Sequence, residues 1–167
     1  SRRVHEDGLK VVMTGEGADE VCLGYDLFRE AAIRRFWSRY PNSKWRGSLF
    51  QKLYSHLPQY QNPRYFGMLL DFYKPHLYDN GDPHYAMAVR WANGSALETF
   101  FTEEMKSFIA ANNPVLSLNN IVPTGYSKSD DIDRAQWIEC QTLLSNYLLS
   151  SQGDRMSMAH GVETRVP

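Results

Sequence analysis

Cysteine is scarce: Cys22 and Cys140 are the only two, far apart and without a Cys-x-x-Cys pair or a Cys/His cluster. That spacing argues against a disulfide framework and a zinc site, and it favours a reducing, cytoplasmic setting. No apolar run approaches the ~20 residues that span a bilayer. The opening Ser1-Arg2-Arg3-Val4-His5-Glu6-Asp7-Gly8 lacks the apolar stretch of a secretory signal, so neither membrane nor export is expected. Excess charge of one sign is missing too, since 18 Lys and Arg face 19 Asp and Glu for a net charge of -1. This is not the balance of a basic nucleic-acid binder. The histidines His5, His56, His76, His84 and His160 never fall at metal-ligand spacing. The dinucleotide and Walker phosphate fingerprints are absent, and so is a Gly-x-Ser-x-Gly elbow.

What remains is a globular composition, with 43% hydrophobic and 22% charged residues in 167. A chain of this size forms one domain that buries roughly 70% of its unfolded surface. Leu9-Lys10-Val11-Val12-Met13-Thr14 is the strong strand signal, and almost everything after it reads as helix or loop. A lone strand cannot satisfy its own backbone groups. The β-prone Glu163-Thr164-Arg165-Val166 has no partner strand written after it. Neighbouring strands are therefore expected outside this sequence or on a borrowed edge. With no initiator Met at Ser1, the chain reads as a piece of a larger protein.

Apolar spacing predicts a helix from about Val21 to Tyr40, ended by Pro41-Asn42-Ser43, and another from Ser48 to Leu57, closed by Pro58. A short helix is expected around Tyr65 to Phe72 and a turn at Asp79-Asn80-Gly81-Asp82. Thr102 caps a helix that Asn112-Asn113-Pro114 stops, and a loop covers 115–128. Ser129 is expected to cap the clearest helix, whose stripe is Trp137, Cys140, Leu144, Tyr147 and Leu148 and whose break is Ser150-Ser151-Gln152-Gly153. A last helix runs from Asp154 to about His160, with Gly161 as its left-handed C′ residue. Of the 22 aromatic residues, 18 lie between Tyr25 and Phe101, which suits either an aromatic helical core or a partner surface.

Two constellations carry candidate chemistry. The first is Thr14-Gly15-Glu16-Gly17-Ala18-Asp19-Glu20, directly after the strand. Ligands of open α/β sheets bind just beyond strand carboxyl ends. Two glycines let the backbone approach a ligand, and three acids invite a positive partner such as Mg²⁺ on phosphates. A solvated acidic turn is the plain alternative. The second constellation is 151–167, in which Arg155 and Arg165 can hold carboxylate or phosphate while Asp154 and Glu163 orient them. On the residues alone, a purely structural ion-pair network is the plainer reading.

Together the two have a precedent. Val11-Val12-Met13-Thr14-Gly15-Glu16-Gly17-Ala18-Asp19-Glu20, followed by Gly24-Tyr25, resembles a signature of the synthetase domain of glutamine-dependent asparagine synthetases. Asp154-Arg155-Met156-Ser157-Met158-Ala159-His160-Gly161-Val162-Glu163-Thr164-Arg165-Val166-Pro167 resembles a second signature of that domain, in the same order. The resemblance hardly touches residues 40–128, which fits a subfamily with a helical insertion. It implies a partial synthetase domain in three stretches: 1–25 as strand and acidic loop, 26–128 as an aromatic-rich insertion, and 129–167 as helix and second signature. The implied parent fold is an α/β ATP-pyrophosphatase fold of the adenine nucleotide α-hydrolase type, with this chain mainly helical and holding one or two strands.

The activity implied is adenylation of the aspartate side-chain carboxylate by MgATP, followed by attack of glutamine-derived ammonia to give asparagine, AMP and pyrophosphate. By resemblance Thr14, Gly15 and Gly17 line the nucleotide site, Glu16 orients or deprotonates ammonia, Asp19 binds Mg²⁺, and Asp154 and Arg155 stand by the nucleotide. Carboxylates suit both roles, as general base and as metal ligand. The family's Ser-Gly-Gly-x-Asp-Ser pyrophosphate loop and its N-terminal glutaminase domain are not in this sequence. These 167 residues alone are therefore expected neither to bind ATP tightly nor to turn over. A homo-oligomer stays open, as do a relative that amidates or cyclises another acid and a non-catalytic helical interaction module.

Overall fold

The computed structural model describes residues 1–79 and 81–166. Asn80 of the expected 79–82 turn and Pro167 of the second signature lie outside the described residues. The chain opens with α1 (Arg2–Glu6), β1 (Val11–Met13), α2 (Ala18–Val21) and α3 (Asp26–Ser38). Next come α4 (Leu49–Leu53), α5 (Pro63–Tyr73), α6 (Tyr85–Ser95), α7 (Glu103–Ala111) and α8 (Pro114–Asn119). The last part holds α9 (Asp131–Glu139), a π-helical segment (Cys140–Asp154), α10 (Arg155–Met158) and β2 (Glu163–Arg165). The described chain is thus mostly helical with two strands, as expected for this stretch.

Two compact units divide it, one made of Ser1–Arg29 with Ala135–Pro167 and the other of Glu30–Arg134. In the first, β1 and β2 pair in parallel, with Val11 opposite Glu163, Val12 opposite Thr164 and Met13 opposite Arg165. This corrects the expectation that neither strand had a partner in the sequence. Parallel strands need a crossover, so the two members stand far apart along the chain and neither signals the other locally.

Several helix limits also differ from the spacing. The helix expected from Val21 begins at Asp26, because Leu23 takes a left-handed φ of 58° and separates α2 from α3. The stretch expected to be helical from Ser48 to Leu57 keeps only α4. Asn112-Asn113-Pro114 does end α7, but Asn113 then accepts from the amides of Val115 and Leu116 and Pro114 opens α8, where a loop was expected. The cap of α9 is Asp130, which accepts from the Ile132 amide at 3.0 Å, rather than Ser129.

The break expected at 150–153 is replaced by continuous, widely wound helix. Hydroxyls there bond back to carbonyls of the preceding turn, Ser145 to Gln141 at 2.7 Å and Ser150 to Asn146 at 2.6 Å, so the serines are satisfied within the helix. α10 then closes as expected near Gly161, whose φ is 61°. Gly161 N–H donates to the Met158 carbonyl and Val162 N–H to that of Ser157, the two bonds of a Schellman end.

The second unit is built on aromatic packing. Its core joins Trp37, Phe50, Leu69, Tyr73, Leu77 and Val89, with the Phe50 and Tyr73 rings stacked at 4.2 Å. α6, which the spacing did not announce, buries Tyr85, Ala86, Met87 and Val89. Arg34 is buried beside it and donates to the carbonyls of Tyr85 (2.9 Å) and His76 (3.1 Å), its guanidinium 4.1 Å over the Tyr85 ring. Within this unit Arg35 of α3 pairs with Asp130, the cap of α9, at 2.7 Å.

Candidate functional site

The acidic loop leaves β1 at the carboxyl end of the parallel pair. Its entry is held by two ladder bonds that extend the pair: Glu163 N–H to the Lys10 carbonyl (2.8 Å) and Thr14 N–H to the Arg165 carbonyl (2.9 Å). The Thr14 hydroxyl donates to the Glu16 carboxylate, and Ala18 N–H closes a turn on the Gly15 carbonyl at 3.1 Å. Gly17 then opens α2 with a φ of 93°, a conformation that a side chain would strain. Against it lies Leu144 of the π-helical segment, whose methyl carbon is 3.6 Å from where a Cβ at Gly17 would stand.

That segment also brings the second constellation to the first. A Cβ on buried Gly153 would sit 3.9 Å from Glu16 Oε2 and 3.5 Å from the Leu148 carbonyl. Glu16 therefore stands half-buried between the Thr14 hydroxyl and a bare stretch of backbone. The i→i+5 winding that makes this approach is of the kind often found at functional sites.

Asp19 is exposed on α2 and turned onto Gly24, so closely that a Cβ there would be 2.0 Å from Oδ1. Only glycine admits that carboxylate. Glu20 is buried (1% exposed) and accepts from the Tyr25 hydroxyl at 2.9 Å. Burial first, then the bond to Glu20 and the charges of Glu20, Asp19 and Glu139, push Tyr25 up to about 12. The Cys140 thiol is raised as well, by burial ahead of Glu20 and Glu139. Gln136 donates its amide to the carbonyls of Glu20 (2.9 Å) and Val21 (2.8 Å), which α2 is too short to satisfy itself.

Of the site residues expected from sequence, the structure gathers Thr14, Gly15, Glu16 and Gly17 in one turn beside Gly153. Asp154 and Arg155 follow directly but are exposed, and neither makes an ion pair among the described residues. The ionic network expected over 154–165 reduces to Glu163 and Arg165, 2.5 Å apart. Gln136 and the Glu20–Tyr25 bond carried no role in the sequence reading, and Gly153 and Leu144 entered it only as part of a helix break and of a helix stripe. Gly24-Tyr25 was visible as a motif, though its reason, room for Asp19, was not.

Among the described residues no group of three His, Cys, Asp or Glu is placed to hold a metal ion. Mg²⁺ commonly needs only one or two carboxylates when phosphate oxygens and water complete its shell. Exposed Asp19 suits that shared role, and the loop provides no cage for a free ion. Among the described residues no helix is long and apolar enough to cross a membrane.

A glycine and carboxylate turn beyond the carboxyl end of parallel strands is the place where open α/β sheets take their ligands. The family model described as asparagine synthase matches residues 1–167, and the chain belongs to that family. The family is one of ATP-dependent amidation, of the ligase and amidotransferase type. Among curated proteins the chain is 26% identical to amidase chry2 of Gibberella zeae, across 98% of this chain and 24% of that protein. It is also 26% identical to asparagine synthetase [glutamine-hydrolyzing] 1 of Bacillus subtilis, across 94% of this chain and 22% of that protein. The chain spans about a quarter of the length of these relatives. No solved structure matches it.

Proposed function

We propose that this chain is part of the synthetase domain of an amidotransferase that adenylates the side-chain carboxylate of aspartate and passes ammonia to it, releasing asparagine, AMP and pyrophosphate. The observation that carries this is the meeting of the two signatures: β1 pairs with β2, and Glu16 comes to 3.9 Å from the Cβ position of Gly153. In this reading the parent is an α/β ATP-pyrophosphatase fold and 26–128 is a helical insertion into it. A glutaminase domain of the same protein supplies the ammonia, in the cytoplasm.

The residues divide the work by their chemistry. Thr14, by donating to Glu16, fixes the carboxylate and leaves its other oxygen to accept a proton from attacking ammonia. Backbone at Gly15 and Gly17 admits the nucleotide without a side chain in the way. Asp19 would be the residue that holds Mg²⁺, which would supply charge neutralisation for a phosphate leaving group. Exposed Asp154 and Arg155 flank the nucleotide, and Arg155, free of an internal ion pair among the described residues, is available to an anion.

The test is pyrophosphate release by the full-length protein with MgATP and glutamine, with and without aspartate. Aspartate-dependent release with asparagine and AMP as products is the expected result. Release with other carboxylic acids and not with aspartate would move the substrate but keep the chemistry. Silence across a panel of acids would refute the catalytic reading. The 167 residues by themselves are expected not to bind ATP tightly, which micromolar affinity in a titration would overturn.

A further inference from the structure

The second unit contains a polar cleft of about 660 Å³ in which Arg35, Arg39, Lys128, Asp130, Asp131 and Arg134 converge. Its charges fall into two groups. Arg35 pairs with Asp130 at 2.7 Å and with Asp131 at 3.4 Å, and buried Arg134 pairs with Asp131 while donating to the carbonyls of Ser127 and Ser129. Two cations and two anions thus neutralise one another and set the wall rigidly. Arg39 and Lys128 are left over, with no ion pair or side-chain hydrogen bond among the described residues.

The lining thus carries two more positive than negative charges, which an anion of charge near -2 matches. A phosphate monoester carries about -1.5 to -2 at neutral pH and offers three acceptor oxygens, whereas a single carboxylate would leave one cation unmatched. The cleft volume also exceeds what the bare group needs and falls in the range of small-molecule sites, about 300–1,000 Å³. We propose that this cleft binds the phosphate group of a small phosphorylated molecule, with Arg39 and Lys128 as its direct ligands and the Arg35–Asp130–Asp131–Arg134 network as their support. The site belongs to the unit that contains neither signature, and its binding does not depend on the proposed reaction.

Calorimetric titration of the full-length protein at low ionic strength, with glycerol 3-phosphate and separately with inorganic phosphate, tests it. Saturable binding of either probe is expected, weakened about tenfold or more by the double substitution R39A/K128A. Tighter binding of the ester identifies a phosphorylated metabolite as the occupant, and tighter binding of the free ion identifies phosphate itself. Lys74→Ala, which removes an exposed cation outside the cleft, should leave the affinity unchanged. Among the described residues neither variant loses a side-chain ion pair or hydrogen bond, so both should melt like the parent protein. No binding, binding that survives R39A/K128A, or an equal loss on Lys74→Ala would each overturn the proposal.

Discussion

Gly24→Ala is the sharpest probe of the acidic loop. Gly24 does not occupy the left-handed region, so alanine is allowed by the backbone and only the neighbours object. The new Cβ would stand 2.0 Å from Asp19 Oδ1, 3.0 Å from its Cγ and 3.2 Å from its Cα. The oxygen must retreat by more than an ångström, and the exposed side chain can do so by turning about its χ angles. The backbone contact then needs a few tenths of an ångström. With the oxygen free to turn, what remains is the backbone contact, so the cost lies at or below the lower end of the about 1–3 kcal/mol of core overpacking. A misplacement of that size in a binding group costs roughly a hundredfold in rate. Pyrophosphate release by full-length Gly24→Ala should fall accordingly, with a modest drop in melting temperature.

Asp19→Ala supplies the control. It removes the colliding oxygens, so in that background Gly24→Ala should cost little stability, a coupling at the lower end of about 0.5–3 kcal/mol between the two positions. Equal destabilisation in both backgrounds would refute the contact as the cause. Unaltered pyrophosphate release from well-folded Gly24→Ala would refute a role for the Asp19 position in the reaction.

Glu16→Gln keeps the size of the side chain and the bond from Thr14 but cannot accept a proton. Amide formation should drop by about 10²–10⁴, and an unchanged rate would remove Glu16 from the chemistry. Arg90→Ala leaves buried Glu30 without the guanidinium that now stands 2.7 Å away. Breaking a buried pair costs about 3–5 kcal/mol, and with Arg90 partly solvated about 1–2 kcal/mol is expected, read as faster hydrogen exchange over Glu30–Arg134. Asp130 is held below its ordinary value of 3.8 by the Ile132 amide and then by Arg35. A depressed carboxyl stabilises the fold above its unfolded pKa, and that contribution disappears as pH falls through the lower folded value. Asn caps a helix as well as Asp does, so Asp130→Asn should melt with a shallower loss below about pH 4 than the parent; identical acid limbs would refute the assignment.

How far the sequence reaches is clear from single elements. Thr102 ahead of Glu103 and Glu104 announced the start of α7, and its hydroxyl does accept from the Met105 amide at 3.3 Å. Gly161 announced a left-handed helix end, and its φ of 61° provides one. Both are local signals, complete within four or five residues. α8 and the cap at Asp130 were misread although equally local, because Asn-Pro and Ser-Asp each allow two readings and the chain chose the neighbouring one. α6 had no legible pattern, since its burial comes from contacts with Arg34 and others distant in sequence.

The candidate site follows the same division. Residue identity alone determined that Thr14, Gly15, Glu16, Gly17 and Asp19 form one acidic, glycine-bearing turn after a strand, and that a second signature ends the chain. Those features are written in consecutive residues, where φ preference and charge act without help. Only the tertiary structure decided that β1 pairs with β2, that Glu16 faces Gly153, and that Asp19 rests on Gly24. The first two bring together segments more than 130 residues apart and the third depends on the turn that separates α2 from α3, and closeness in space between segments distant in sequence leaves no periodic trace along a single chain.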